Sequence, residues 1–122
     1  TSTASESHAH KGIYDDANPE DKAYDLRLRK LLKTLDVVKI KIFSTDRIIV
    51  YSTDHSIIGK DNAENKRLAD ALKGNINSLL KKKDKMTDLV GEQKIDLDVV
   101  ETYLPVVSLD GEIIGAFEIY MD

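Results

Sequence analysis

From residue 18 onward the spacing of apolar positions changes in steps that mark out elements. Tyr24, Leu28, Leu31, Leu32 and Leu35 recur at three- and four-residue intervals, while Lys22, Arg29, Lys30 and Lys33 fall mostly off that stripe. This is the pattern of a helix lying on a surface. Asn18-Pro19-Glu20-Asp21 opens it with an N-cap acceptor, a fixed φ at the first helical position and acidic groups at the positive end of the dipole. The period then drops to two: Val38, Ile40 and Ile42 alternate with Lys39 and Lys41, and Ile48 to Ser52 is a second β-branched run. With turn-like Ser44-Thr45-Asp46-Arg47 between them, these runs predict a hairpin. Thr53 to Lys60 reads as a loop, and Asp61-x-x-Glu64 as a capping box opening a second helix through Lys73, closed by Gly74. Leu68, Ala69, Ala71 and Leu72 give that helix a narrow apolar side suited to a sheet. A short strand, Asn75 to Leu80, is expected next, then a surface excursion from Lys81 to Lys94 whose Met86, Leu89 and Val90 fold back.

Two long β-rich runs, Asp98 to Ser108 and Glu112 to Met121, flank Asp110-Gly111, a strong hairpin signal that predicts a two-residue turn. Such a turn sets Leu109 opposite Glu112, Val107 opposite Ile114, Pro105 opposite Ala116, Tyr103 opposite Glu118 and Glu101 opposite Tyr120. One face then carries Val100, Thr102, Leu104, Val106, Gly115, Phe117, Ile119 and Met121, and is expected to be the core. The other gathers Glu101, Tyr103, Glu118 and Tyr120, joined by Lys39 and Lys41 if the first strand lies beside the last.

Composition narrows what such a sheet can do. The 122 residues suffice for one core, and 41% apolar with 33% charged residues is a globular balance. A net charge of −4 argues against a surface that neutralises phosphates, so no nucleic-acid partner is expected. Cysteine is absent, which removes disulfides, thiolate metal sites and cysteine nucleophiles. No apolar run reaches the roughly 18 to 20 residues of a membrane span. Phosphate-binding glycine loops, Gly-x-Ser-x-Gly and His-Glu-x-x-His are missing, so no enzyme is expected. Residues 1–17 read as a frayed or artificial leader preceding a domain over 18–122; the His8-Ala9-His10 pair there is an incomplete metal grip, and no cofactor is expected.

Three segments carry a more specific likeness: Ile40-Lys41-Ile42-Phe43-Ser44-Thr45-Asp46; Ile49-Val50-Tyr51-Ser52-Thr53-Asp54 leading to Ile58-Gly59-Lys60; and Tyr103-Leu104-Pro105-Val106 with Gly115-Ala116-Phe117-Glu118-Ile119-Tyr120. Over about residues 19 to 122 the chain resembles PAS-like single-Cache (PDC) sensor domains of histidine kinases, diguanylate cyclases and chemotaxis receptors. The family's common turn glycine before the second strand is missing; Arg47-Ile48 stands there, which predicts a longer turn. The resemblance implies an α+β fold: a five-stranded antiparallel sheet of order 2-1-5-4-3, with a long N-terminal helix and a second helix over the sheet. It also implies an extracytoplasmic ligand-sensing domain of a receptor held in the membrane by flanking spans, the first helix rising from one and the last strand entering the other.

Within that frame the candidate ligand residues are His55, Tyr51, Lys60, Glu101, Tyr103 and Glu118. His55 lies in the loop where PAS-like domains often build a cavity wall; it binds an anion, reports pH, or is an ordinary loop histidine. Lys60 is a further contact or, like Arg67, a plain surface charge. Tyr51 and Tyr103 offer a polar handle to a ligand or simply fill the core. Glu101, Tyr103, Glu118 and Tyr120 line a polar cavity for a cationic or amphoteric small molecule if the second helix covers them, and form exposed cross-strand pairs if it does not. Off-stripe Leu26 points to a homodimer in the full receptor. The alternatives are a PAS-like dimerisation or protein-interaction domain with no ligand, and a cytoplasmic cofactor-binding PAS domain.

Overall fold

The computed structural model describes residues 12–89 and 92–122. Its order is helix α1 (Pro19–Thr34), strands β1 (Val37–Phe43) and β2 (Ile49–Ser52), a 3-10 turn (His55–Ile57), helix α2 (Lys66–Ala71), then strands β3 (Asn77–Thr87), β4 (Gln93–Val107) and β5 (Ile113–Met121). The strands form one antiparallel sheet of order β2-β1-β5-β4-β3, as expected. Among the described residues no helix is long and apolar enough to cross a membrane.

α1 starts where the cap predicts: Asn18 Oδ1 accepts from the Glu20 and Asp21 amides at 2.9 and 3.4 Å. Its rotation differs from the expectation. The residues turned to the sheet are Asp25, Leu28, Arg29 and Leu32, whereas Tyr24, Leu31 and Leu35 are more than half exposed. The apolar stripe misleads because the Asp25–Arg29 ion pair occupies the buried face and swings part of the stripe outward. Leu28 and Leu32 pack on Val37, Ile40, Ile42, Phe117 and Ile119, together with Tyr51 and Leu89.

The other sheet face is the more buried one, which reverses the expected core. Glu101, Tyr103, Glu118 and Tyr120 are each at most 4% exposed, while Val100 and Met121 reach 40%. The reason is coverage. α1 covers β2, β1 and β5 on its side and leaves β4 bare, whereas on the opposite side α2 seats Leu68 and Ala71 on Phe43, Ile49, Tyr103 and Ala116. Farther along that face, Met86 of β3 and Val99 of β4 pack on Val38 and Tyr120.

α2 is shorter than expected. Asn65 rather than Asp61 caps it, accepting from the Leu68 amide at 3.0 Å. Asp61 and Asn62 are instead tied to the first hairpin, by an Ile48–Asp61 bridge and an Asn62 N–H donated to the Arg47 carbonyl at 2.9 Å. The supposed excursion is strand: β3 runs eleven residues and pairs with β4 from Asn77–Tyr103 to Thr87–Gln93. The lysines hid it, since Lys81 and Lys83 turn inward to a buried carboxylate and remove the apolar alternation. Met86 and Leu89 do fold back and are buried; Val90 lies outside the described residues.

Both hairpin turns resolve alike. Ser44 pairs with Ile48 and Ser108 with Glu112, each closing a three-residue loop whose last member, Arg47 (φ 65°) or Gly111 (φ 89°), is left-handed. The first turn is therefore no longer than the second; Arg47 adopts the glycine-like conformation and anchors itself by donating from Nη1 to the Ala63 carbonyl at 2.5 Å. The expected register holds for Pro105–Ala116, Tyr103–Glu118 and Glu101–Tyr120, but Val107 pairs with Ile113 rather than Ile114. The extra turn residue is absorbed by a bulge at Val106/Val107.

Candidate functional site

Along β4 and β5 the inward positions run Val99, Glu101, Tyr103 and Ala116, Glu118, Tyr120. Because Glu101 faces Tyr120 and Glu118 faces Tyr103, acids and aromatics form a checkerboard. This belt of charge lies between two apolar clusters, the one under α2 and the one around Val99. β1 borders it as the sequence suggested: Lys41 pairs with Glu118 and Lys39 with Tyr120 in the ladder.

Glu101 is fully engaged. Lys83 Nζ is 2.8 Å from one carboxylate oxygen, and Arg67 Nη1 and Lys81 Nζ are 3.0 and 3.6 Å from the other. Burial alone would raise its carboxyl, yet Lys83, Lys81 and Arg67 outweigh it and hold Glu101 below the usual carboxylate range. Arg67 also donates to the Glu101 carbonyl and to Asn77, and lies over the Tyr103 ring at 4.7 Å. Glu118 is less well served. Lys41 Nζ forms an ion pair with its Oε1 at 3.3 Å, and the Tyr103 and Tyr120 hydroxyls act on the same carboxylate, yet Oε1 is buried with no hydrogen bond of good geometry.

The ammonium groups of Lys39, Lys41 and Lys83 all sit 5.4–5.6 Å from the Tyr120 ring centre. Burial and the neighbouring Lys41 push Lys39 below the usual lysine value; its acidic contact is Asp54, 3.9 Å away. Burial and the Glu118 carboxylate push the Tyr103 and Tyr120 phenols far up, so both remain protonated donors.

On the opposite face a second polar cluster joins α1 to its surroundings. Asp25 Oδ1 accepts from the Tyr51 hydroxyl at 2.5 Å and lies 2.9 Å from His55 Nε2, while Oδ2 accepts from Arg29 Nε at 2.9 Å. Arg29 further donates to the Leu89 carbonyl from Nη1 and to the Thr53 carbonyl from Nη2, both at 2.6 Å. Burial would raise the Asp25 carboxyl, but the hydrogen bonds from Arg29, Tyr51 and His55 bring it below its ordinary value. Tyr14 closes the cluster, edge-on to Tyr51 at 5.4 Å and donating to Asp16; burial and Asp16 push its phenol up to about 12. Residues 12–17, the described end of the segment read as a leader, are thus docked here, with the Tyr14 N–H donated to the Val50 carbonyl at 2.6 Å. His8 and His10 lie outside the described residues.

The six sequence candidates fall into three places. Glu101, Tyr103 and Glu118 share the charged floor; His55 and Tyr51 meet at the α1 cluster on the other face; Lys60 is exposed and joins neither group. Arg67, expected as a surface charge, belongs to the floor with Lys83, and the Asp25–Arg29 pair is a functional cluster that the apolar pattern does not single out. Their i,i+4 spacing was the one available signal. A separate open cleft of about 460 Å³, lined among others by Lys33, Val37, Val38, Leu89 and Lys94, lies at the junction of α1, β1 and the β3–β4 hairpin.

No family model and no curated protein matches the sequence. Solved structures do match in fold. The chain is similar to the sensor domain of the V. cholerae histidine kinase DctB, at 15% identity and a TM-score of 0.60 over 98% of this chain and 49% of that one. It also matches the E. coli DcuS sensor domain at 14% identity and 0.55, over 86% and 77%. A third match is the extracellular domain of the putative histidine kinase rpHK1S-Z16, at 15% and 0.55, over 83% and 40%. The chain spans about half the length of the DctB sensor domain. The fold is therefore PAS-like, of the kind found in histidine-kinase sensor domains.

Proposed function

We propose that this chain is the extracytoplasmic sensory input domain of a transmembrane receptor, non-catalytic itself, with its small-molecule site on the floor formed by Glu101, Tyr103, Glu118 and Tyr120. The observation that carries the reading is the electrostatic imbalance of that floor. Lys39, Lys41, Lys81, Lys83 and Arg67 face three carboxylates, those of Asp54, Glu101 and Glu118, a local positive excess in a chain of net charge −4. Lys39 is poorly compensated and Glu118 Oε1 lacks a donor. A ligand with an anionic group for Lys39 and a hydrogen-bond donor for Glu118 answers both, which favours an amphoteric small molecule.

Transmission through α1 and β5 is supported by their meeting point: only Leu35 and Asp36 separate α1 from Val37, which pairs with Met121 at the end of β5. A ligand that distinguishes two packings of α1 shifts their populations. The alternative, a domain that only dimerises, is favoured by the apolar packing of Leu68, Leu72 and Tyr103 beneath α2.

Thermal-shift screening against carboxylates, amines and amino acids tests the reading. A compound at 100 times its Kd stabilises the fold by about 2.7 kcal/mol. An amphoteric compound is expected to raise the melting temperature of the wild-type chain but not of Lys39→Met, which itself folds at least as stably because burial disfavours the charged lysine. If no compound of any class shifts the wild type, the ligand reading falls and the dimerisation reading takes its place.

A further inference from the structure

We propose that His55 is a proton-operated catch between α1 and the β2–α2 loop, giving the domain an acid-responsive input distinct from the charged floor. One nitrogen of the ring faces two partners of opposite demand. His55 Nε2 lies 2.9 Å from Asp25 Oδ1, an acceptor, and 3.0 Å from Arg29 Nη2, a donor. A bare Nε2 accepts from Arg29 but turns its lone pair on the carboxylate; an Nε2–H donates to Asp25 but meets the guanidinium N–H. The two contacts are incompatible as simultaneous hydrogen bonds, so gaining or losing a proton at Nε2 exchanges one partner for the other.

The surroundings decide which piece moves. Asp25 is held by Tyr51 and by Arg29 Nε, and Arg29 by the Leu89 and Thr53 carbonyls, so both α1 partners are fixed independently of the imidazole. His55 belongs to a three-residue 3-10 turn capped by Asp54 and rests against the Tyr14 ring at 4.8 Å, with its Nδ1 3.9 Å from Asp16. The turn is the lighter element and shifts. The groups facing the ring are Asp25 and Arg29 from α1, Tyr51 from β2, Tyr14 and Asp16 from the preceding segment, and Asp54 from its own loop. Imidazole is the side chain that ordinarily gains or loses a proton between about pH 5 and 8, which suits it to such an exchange of partners. Asp54 also faces Lys39 at 3.9 Å, so a movement of this turn reaches the rim of the floor through the adjacent residue.

NMR titration of the full chain in a His8→Gln, His10→Gln background leaves His55 as the one histidine to follow. Its ring nitrogens, the Arg29 Nε–H and the amides of Asp25, Asp54 and Ile57 are expected to titrate with a common midpoint. The Arg29 and Asp25 shifts should disappear on further substitution His55→Gln. A ring that titrates with no coincident change at Arg29 and Asp54 overturns the proposal in the parent background alone, whether or not the variant folds. So does an α1 response that survives His55→Gln with the same midpoint. Neither result bears on small-molecule binding at the floor.

Discussion

Glu101 shows how a buried acid can be made stabilising. Taken out of water alone it would drive up its own protonation, but three cations converge on it, and the balance comes out in favour of the carboxylate. The sign follows for stability. A carboxyl lowered in the folded state stabilises fully above its unfolded value, near 4.5 for Glu101 and 3.8 for Asp25, and that contribution is lost as pH falls through the lower folded values. Chemical denaturation of Glu101→Gln should therefore show a loss of about 1.5–3 kcal/mol at neutral pH, and a shallower decline than wild type below about pH 4.5. A parallel decline in both proteins would remove Glu101 from the acid limb. At this scale the sequence was informative where the middle of the β4–β5 ladder brings residues together, as for Tyr103 with Glu118. Arg29 showed only its i,i+4 spacing to Asp25 and Arg67 nothing, because their other acceptors lie up to 60 and 34 residues away, distances that no local pattern spans.

Among the elements, β5 depends on one glycine for its approach to β1. A Cβ at Gly115 would stand 2.4 Å from the Phe43 carbonyl oxygen, a backbone atom that cannot step aside alone. Gly115→Ala is expected to destabilise by about 1–3 kcal/mol in urea titration; a neutral result would mean that the bulge at Ile42/Phe43 relaxes more readily than the ladder suggests. The hairpins show what element-scale patterning conveys. Ser44-Thr45-Asp46-Arg47 and Asp110-Gly111 located both turns correctly, yet loop length escaped, because it depends on whether the third residue goes left-handed, and Arg47 does so without being glycine. α2 escaped in part for a related reason: Asp61 satisfies its side chain locally on Ala63 while its backbone bridges Ile48, so the expected cap is spent on another element.

For the whole molecule, both helices were legible in the pattern and the sheet order in the family resemblance, whereas the choice of core face was in neither: coverage by α2 and the β3–β4 ribbon is a long-range property. The same geometry leaves Tyr24 and Leu31 of α1 and Leu35 at its C-cap exposed at steps of seven and four, the rhythm of a helix seam. If the domain pairs with itself through that seam, sedimentation of the wild-type chain will show a concentration-dependent dimer that Leu31→Glu dissociates while leaving the circular dichroism unchanged; a monomer at all concentrations would exclude it. The opposite margin of the sheet behaves otherwise. β3 is its outermost strand, eleven residues long, and carries Lys81, Lys82, Lys83 and Lys85. A second copy adding itself there would bring the exposed Lys82 and Lys85 against their counterparts, so the margin most open to fibril-like growth is guarded by self-repulsion. Replacing Lys82 and Lys85 by Gln should therefore make the chain precipitate at lower concentration, as light scattering would show, without touching the Glu101 pairs.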